Sequence, residues 1–148
     1  MKKKKIFVLI THSLGELDVL FPIFSRLYKM YHIEVELVFT VNNIYKKFMD
    51  NDFYQYFTEK YEIKTSLSNI YKYKKLSELT ILNKIIASIK NIAAFVINLY
   101  RGILLFQKIF TYNYFMHEFT NQLTSTWSLY LFVNVFNKNK KIFVYMHG

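Results

Sequence analysis

Short apolar runs separated by helix-patterned stretches constrain this chain more than any other feature. Lys4–Ile10 (KKIFVLI) and Lys140–Met146 (KKIFVYM) are continuous and rich in branched side chains, with no polar alternation. Runs of that length and composition fit strands buried on both faces. Ile33–Val41 (IEVELVFTV) reads as a second strand, with Glu34 and Glu36 on its outer half, and Tyr112–Phe119 (YNYFMHEF) as another. Between the first two, Leu17, Leu20, Phe21, Phe24, Leu27, Tyr28 and Tyr31 recur at spacings of three and four, one face of a helix. Pro22 must sit in the first turn of that helix or kink it, and Asp18 is a candidate N-cap. Residues 43–61 predict one or two short helices broken near Asp50–Asp52, and Asn121–Phe136 a further helix with Thr120 as its cap. Residues 62–78 are harder to read: EIKTSLS fits a third strand and YKYKKLS an exposed connector. Strands alternating with helices imply βαβ units. The expectation is a single α/β domain over residues 1–148, a Rossmann-like parallel sheet with helices on both faces.

The segment Leu79–Phe110 invites a membrane test. Its longest uninterrupted apolar stretch is IAAFVI, whereas a span needs about 20 apolar residues. Lys84, Ser88, Asn91, Asn98 and Arg101 gather on one side of a helical wheel, leaving a broad apolar face. The pattern predicts a long amphipathic helix packed against a sheet, with peripheral membrane contact as the second reading. At the N-terminus, the apolar run Ile6–Ile10 is too short for a signal-peptide core, which needs about 7 residues or more.

The chain has no cysteine, so disulfides and thiolate metal sites are excluded. A cytoplasmic location is expected, with the inner face of the membrane as the second reading. The net charge of +10 raises anionic partners. Its cations are scattered lysines, with Arg26 and Arg101 the only guanidinium forks, so nucleic acid is not expected as a partner.

In an open parallel sheet, ligands bind beyond the carboxyl ends of the strands. The first strand runs out into Thr11, His12, Ser13, Gly15 and Glu16, another into His117 and Glu118, and the last into His147 and Gly148. Three of the four histidines thus share one edge with two carboxylates, a set suited to proton transfer near neutral pH. His32 precedes a strand and belongs to the opposite edge. Each histidine taken alone is better explained by helix capping or backbone bonding at a strand end; the clustering is what points to function. The first loop has a single glycine, so the dinucleotide fingerprint is missing, as are a phosphate loop, a nucleophile elbow and an H-x-x-x-H pair. No cofactor and no metal are expected.

KKIFVLITHSLGELDVLFPIFSRL resembles the opening of the N-terminal domain of bacterial GT-B-fold glycosyltransferases, and YNYFMHEF followed by a helix and KKIFVYMHG resembles a later part of that domain. The nearest echo is with enzymes similar to CDP-glycerol glycerophosphotransferases and capsular polysaccharide transferases; nucleotide-sugar 2-epimerases are a neighbouring alternative. The resemblance implies that His147, in the His-Gly pair, is a catalytic base and that Gly148 allows close backbone approach. It places His12 and Gly15 in an acceptor-facing first loop; Ser13, Glu16, His117 and Glu118, on the same sheet edge, are the further candidates for binding a glycan or lipid-linked acceptor. A nucleotide-activated donor would be held mainly by a C-terminal domain that this sequence lacks. The ending therefore reads as a truncation, and the fragment alone is expected to be inactive. A non-catalytic flavodoxin-like binding domain is the competing reading.

Overall fold

The computed structural model describes residues 4–11, 13–69, 80–109, 111–118 and 141–145. Within them lie β1 (Lys5–Ile10), α1 (Gly15–Tyr31), β2 (Glu34–Phe39), α2 (Asn42–Met49), α3 (Asp52–Lys60), β3 (Lys64–Leu67), α4 (Ile81–Ile109), β4 (Tyr114–Glu118) and β5 (Lys141–Tyr145). The chain divides into two compact units. One comprises Met1–Asn69, Lys108–Thr120 and Asn139–Gly148; the other comprises Ile70–Gln107 and Asn121–Lys138.

The first unit is built on a five-stranded sheet in the order β3-β2-β1-β4-β5, with every pairing parallel. The α/β class and parallel, Rossmann-like sheet expected from the sequence are what the structure has. Apolar content sets the order of the strands. β1, the most uniformly apolar, takes the centre, with Val8 opposite Leu37 on one side and Met116 on the other. β3 (KTSL), the least apolar, lies at an edge, where exposed residues are tolerated.

Side chains alternate across a strand, so β1 and β2 each serve two faces. Ile6, Val8 and Ile10 join Val35, Leu37 and Phe39 on the first face, where Leu17, Leu20, Phe21 and Phe24 of α1 pack with Phe48 and Tyr54. Phe21 is the pivot of this core: its ring stacks on Phe57 at 4.2 Å and meets the edge of Tyr54 at 5.6 Å. Burying each such ring stabilises by about 1.5–3 kcal/mol. Phe7, Leu9, Glu36, Val38 and Phe115 occupy the other face by the same alternation.

Helix boundaries follow local chemistry. α1 begins at Gly15, before the expected Asp18 cap, so Asp18 lies in the first turn and accepts from the Tyr54 hydroxyl at 3.0 Å. Pro22 lies inside α1, beyond its first turn, where it cannot donate to the Asp18 carbonyl. α1 ends at His32, which adopts the left-handed conformation (φ 48°) and donates its amide to the Tyr28 carbonyl at 2.9 Å. The break between α2 and α3 falls where the sequence placed it. Asn51 caps α3 by accepting from the Phe53 and Tyr54 amides at 3.0 and 3.3 Å. EIKTSLS contains β3 as expected, whereas YKYKKLS, Thr120 and the Asn121–Phe136 helix lie outside the described residues.

α4 corrects an expectation. Its broad apolar face was assigned to packing, yet that face is exposed: Ile85, Ile89 and Val96 are 55, 62 and 58% accessible. Ala87 and Asn98, on the narrow small and polar side, are buried instead. Periodicity reports how wide an apolar face is, but not what the face meets. By length and composition, Ile81–Leu105 is also long and apolar enough to cross a bilayer.

Candidate functional site at the β1 and β4 strand ends

The strand order reverses direction at β1: β2 and β3 extend to one side of it, β4 and β5 to the other. In open α/β sheets the point where strand order reverses, beyond the carboxyl ends of the strands, is the usual ligand position. The register sets His117 of β4 directly beside Leu9 of β1 and Val144 of β5. The turn from Ile10 into α1 therefore adjoins the His117–Glu118 strand end. A further tie closes this edge. The Thr40 amide and hydroxyl both donate to the Ile10 carbonyl, at 3.0 and 3.3 Å, locking the ends of β1 and β2 together.

Ser13, Gly15 and Glu16 form the entry to α1. The Ser13 amide donates to Glu16 Oε1 at 2.9 Å, and the Leu17 amide to the Leu14 carbonyl at 2.9 Å. This Ser-x-x-Glu arrangement is half of a capping box, with the carboxylate answering a backbone donor near the positive end of the helix dipole. Glu16 is 2% exposed, so its first task is to shape the loop. Gly15 has no such structural duty. A β-carbon there would lie 3.6 Å from Ser13 Oγ, an ordinary contact, so the fold itself does not require glycine.

His117 is partly buried, with its ring centroid 5.4 Å from that of Phe115. Alternation sets His117 on the face of Phe7 and Leu9, whereas α1, with Glu16 at its start, packs on the face of Ile6, Val8 and Ile10. The sequence-predicted residues therefore share an edge but approach it from opposite faces of the sheet. Glu118 is the last residue of β4, in register with Tyr145. His12, His147 and Gly148 lie outside the described residues. His32 sits before β2, on the opposite edge, as expected.

Sequence reading missed a second polar centre. Glu36, assigned to an outer half-strand, is 4% exposed in the middle of β2. Its Oε1 accepts from Ser66 Oγ at 3.2 Å and pairs with the Lys108 ammonium, while its Oε2 accepts from the Tyr112 hydroxyl. Burial alone would raise the Glu36 pKa, but the Lys108 ammonium and the two hydroxyls together hold it below its ordinary value. Tyr112 moves the other way: burial, then its bond to Glu36, push the phenol pKa up. Glu34, the other member of the pair, is only part-buried and reaches Lys5 at 3.3 Å and Lys64 at 4.0 Å. The one signal for Glu36 was its phase: it alternates in step with Val38, a core position. Its partners come from residues 30 to 76 positions away, which no local pattern reveals. Among the described residues, no group of three or more His, Cys, Asp or Glu side chains could hold a metal ion.

No protein-family profile and no curated protein sequence matches the chain. Solved structures do. Phytolacca americana UGT2, complexed with UDP-2fluoro-glucose and pterostilbene, aligns over 99% of this chain at TM-score 0.52 and 8% identity. A UDP-N-acetylglucosamine 2-epimerase aligns over 98% (TM-score 0.48, 17% identity), and Acinetobacter baumannii MurG over 97% (TM-score 0.48, 7% identity). This chain spans 33, 31 and 35% of the epimerase, UGT2 and MurG chains respectively, about a third of each. At 8% identity, the likeness to UGT2 is one of fold: a Rossmann-like domain of GT-B type.

Proposed function

We propose that this chain is the acceptor-side domain of a nucleotide-sugar or nucleotide-glycerol transferase of GT-B architecture, acting in surface polysaccharide synthesis. The observation that carries the reading is the reversal of strand order at β1, which brings the Ser13–Glu16 loop and the His117 strand end to one edge of the sheet. The fold likeness to UGT2, whose structure holds UDP-2fluoro-glucose and pterostilbene, supports it. In this reading Glu16 and Thr40 fix the loop edge, and the acceptor enters along it. His147 takes the proton of an acceptor hydroxyl as that oxygen bonds to the donor's anomeric carbon or phosphorus. The nucleotide departs with the electron pair of the broken bond. A positioned base of this kind contributes about 10² to 10⁴-fold. In this reading the donor is held by a second domain.

The test begins at the source locus, read on both sides of this segment for a second α/β domain. Transfer from UDP-sugars and CDP-glycerol is then assayed on the two-domain protein. His147→Ala is expected to lower kcat by at least 10²-fold with little change in KM for the donor. Activity within a few-fold of the parent removes His147 from the mechanism. If no such domain is found, the transferase reading gives way to a non-catalytic binding domain.

A further inference from the structure

α4 is inside out. Leu82, Ile85, Ile89, Ile92, Val96 and Ile103 follow one another at helical spacing and are all exposed. The stripe on the other side runs Ala87, Asn91, Ala94, Asn98, Gly102 and Leu105, small or polar at five of its six positions, and is buried or part-buried. Water-facing helices have the reverse arrangement. Twelve of the twenty large apolar side chains exposed among the described residues belong to this one helix. The 25 residues of Ile81–Leu105 extend roughly 37 Å. A continuous apolar surface of that extent is not a stable water interface and marks a docking site.

Charge selects the occupant. α4 contains no Asp or Glu, and its cations are Lys84, Lys90, Arg101 and Lys108. Lys84 and Lys90 are exposed and flank the apolar face on opposite sides, each about 120° around the helix from its middle. From there the ammonium groups can reach back to headgroup level while the apolar face enters the acyl boundary. A protein partner for so basic a helix would need an acidic rim around an apolar groove; an anionic bilayer offers both features without further design. A lone membrane span would meet lipid on every side, whereas here one side, with Asn98 at its middle, is buried.

We infer that α4 docks the chain in the plane of an anionic lipid surface through its Leu82–Ile103 face, with Lys84 and Lys90 at the phosphate level. The inference is independent of the transferase reading, because it rests on α4 alone.

Flotation of the purified full chain with phosphatidylcholine vesicles, with and without phosphatidylglycerol, tests it; aggregated protein sinks and does not count. The chain should float with the anionic vesicles and be released by high salt. Ile89→Glu with Val96→Glu should abolish flotation while far-UV circular dichroism stays unchanged. Lys84→Gln and Lys90→Gln should each weaken binding about five-fold. The inference is overturned if wild type stays unbound, if the glutamate variant floats equally well, or if binding resists alkaline carbonate, which would mean insertion across the bilayer. It is equally overturned if the wild type is a dimer that the glutamate variant dissociates, for then a second copy covers the face.

Discussion

The sheet unit and α4 use the same apolar side chains to opposite ends. In the sheet unit, phenylalanines and branched residues turn inward, and the buried polar group at its middle, Glu36, is answered on both carboxylate oxygens. In α4, isoleucines and Val96 turn outward and an asparagine turns inward. Composition alone does not separate the two; direction does. A fold for water hides its apolar surface, so a helix that presents such surface is adapted to a different neighbour.

The contrast can be broken most sharply by paired truncations. Phe21→Ala should cost about 3–5 kcal/mol, because the cavity opens between the stacked Phe57 ring and the edge-on Tyr54 ring. Ile89→Ala on α4 removes a comparable side chain and should change stability by no more than about 0.5 kcal/mol. Urea denaturation of the two variants measures both. Equal losses would mean that the exposed face of α4 is a folding core after all.

Next in size comes the polar centre. Glu36→Ala leaves Tyr112, Ser66 and Lys108 without their shared acceptor and should cost about 2–4 kcal/mol. Because the folded state holds the Glu36 pKa below its ordinary value of 4.5, its contribution is complete above that pH and is lost as pH falls through the folded value. Acid unfolding of the Glu36→Gln variant should therefore begin from lower stability and fall less steeply below pH 4.5 than the parent. An unchanged acid limb would show that Glu36 is not ionised in the folded protein.

The sequence conveyed the sheet well because the β1 and β5 runs are almost uniformly apolar, a pattern that fits strands buried on both faces. It conveyed the edge on which the candidate site lies for the same reason: once the strands are found, their carboxyl ends follow. It did not convey the α1 start, since Asp18 and the Ser13–Glu16 pair compete as caps and only three-dimensional packing sends Asp18 to Tyr54. Nor did it show that His117 and Glu16 come to the edge from different faces, which depends on register. The orientation of α4 was illegible for a deeper reason. Periodicity is blind to sign, so an apolar stripe looks alike whether it meets protein or lipid.

A smaller effect sharpens the sheet unit. His32 holds a left-handed conformation (φ 48°) that costs an L-residue energy and glycine nothing. His32→Gly should raise stability by about 0.5–1 kcal/mol, read from the thermal midpoint, and its location far from the β1 and β4 ends should leave ligand binding unchanged.

Hydrogen exchange of the whole chain, followed peptide by peptide with and without phosphatidylglycerol vesicles, reads both regions at once. Peptides from Ile81–Leu105 should exchange more slowly on the vesicles, while those from β1, α1 and β2 keep their rates. Unaltered exchange in α4, or slowing spread evenly over the sheet, would show that the outward face of this helix is not built for lipid.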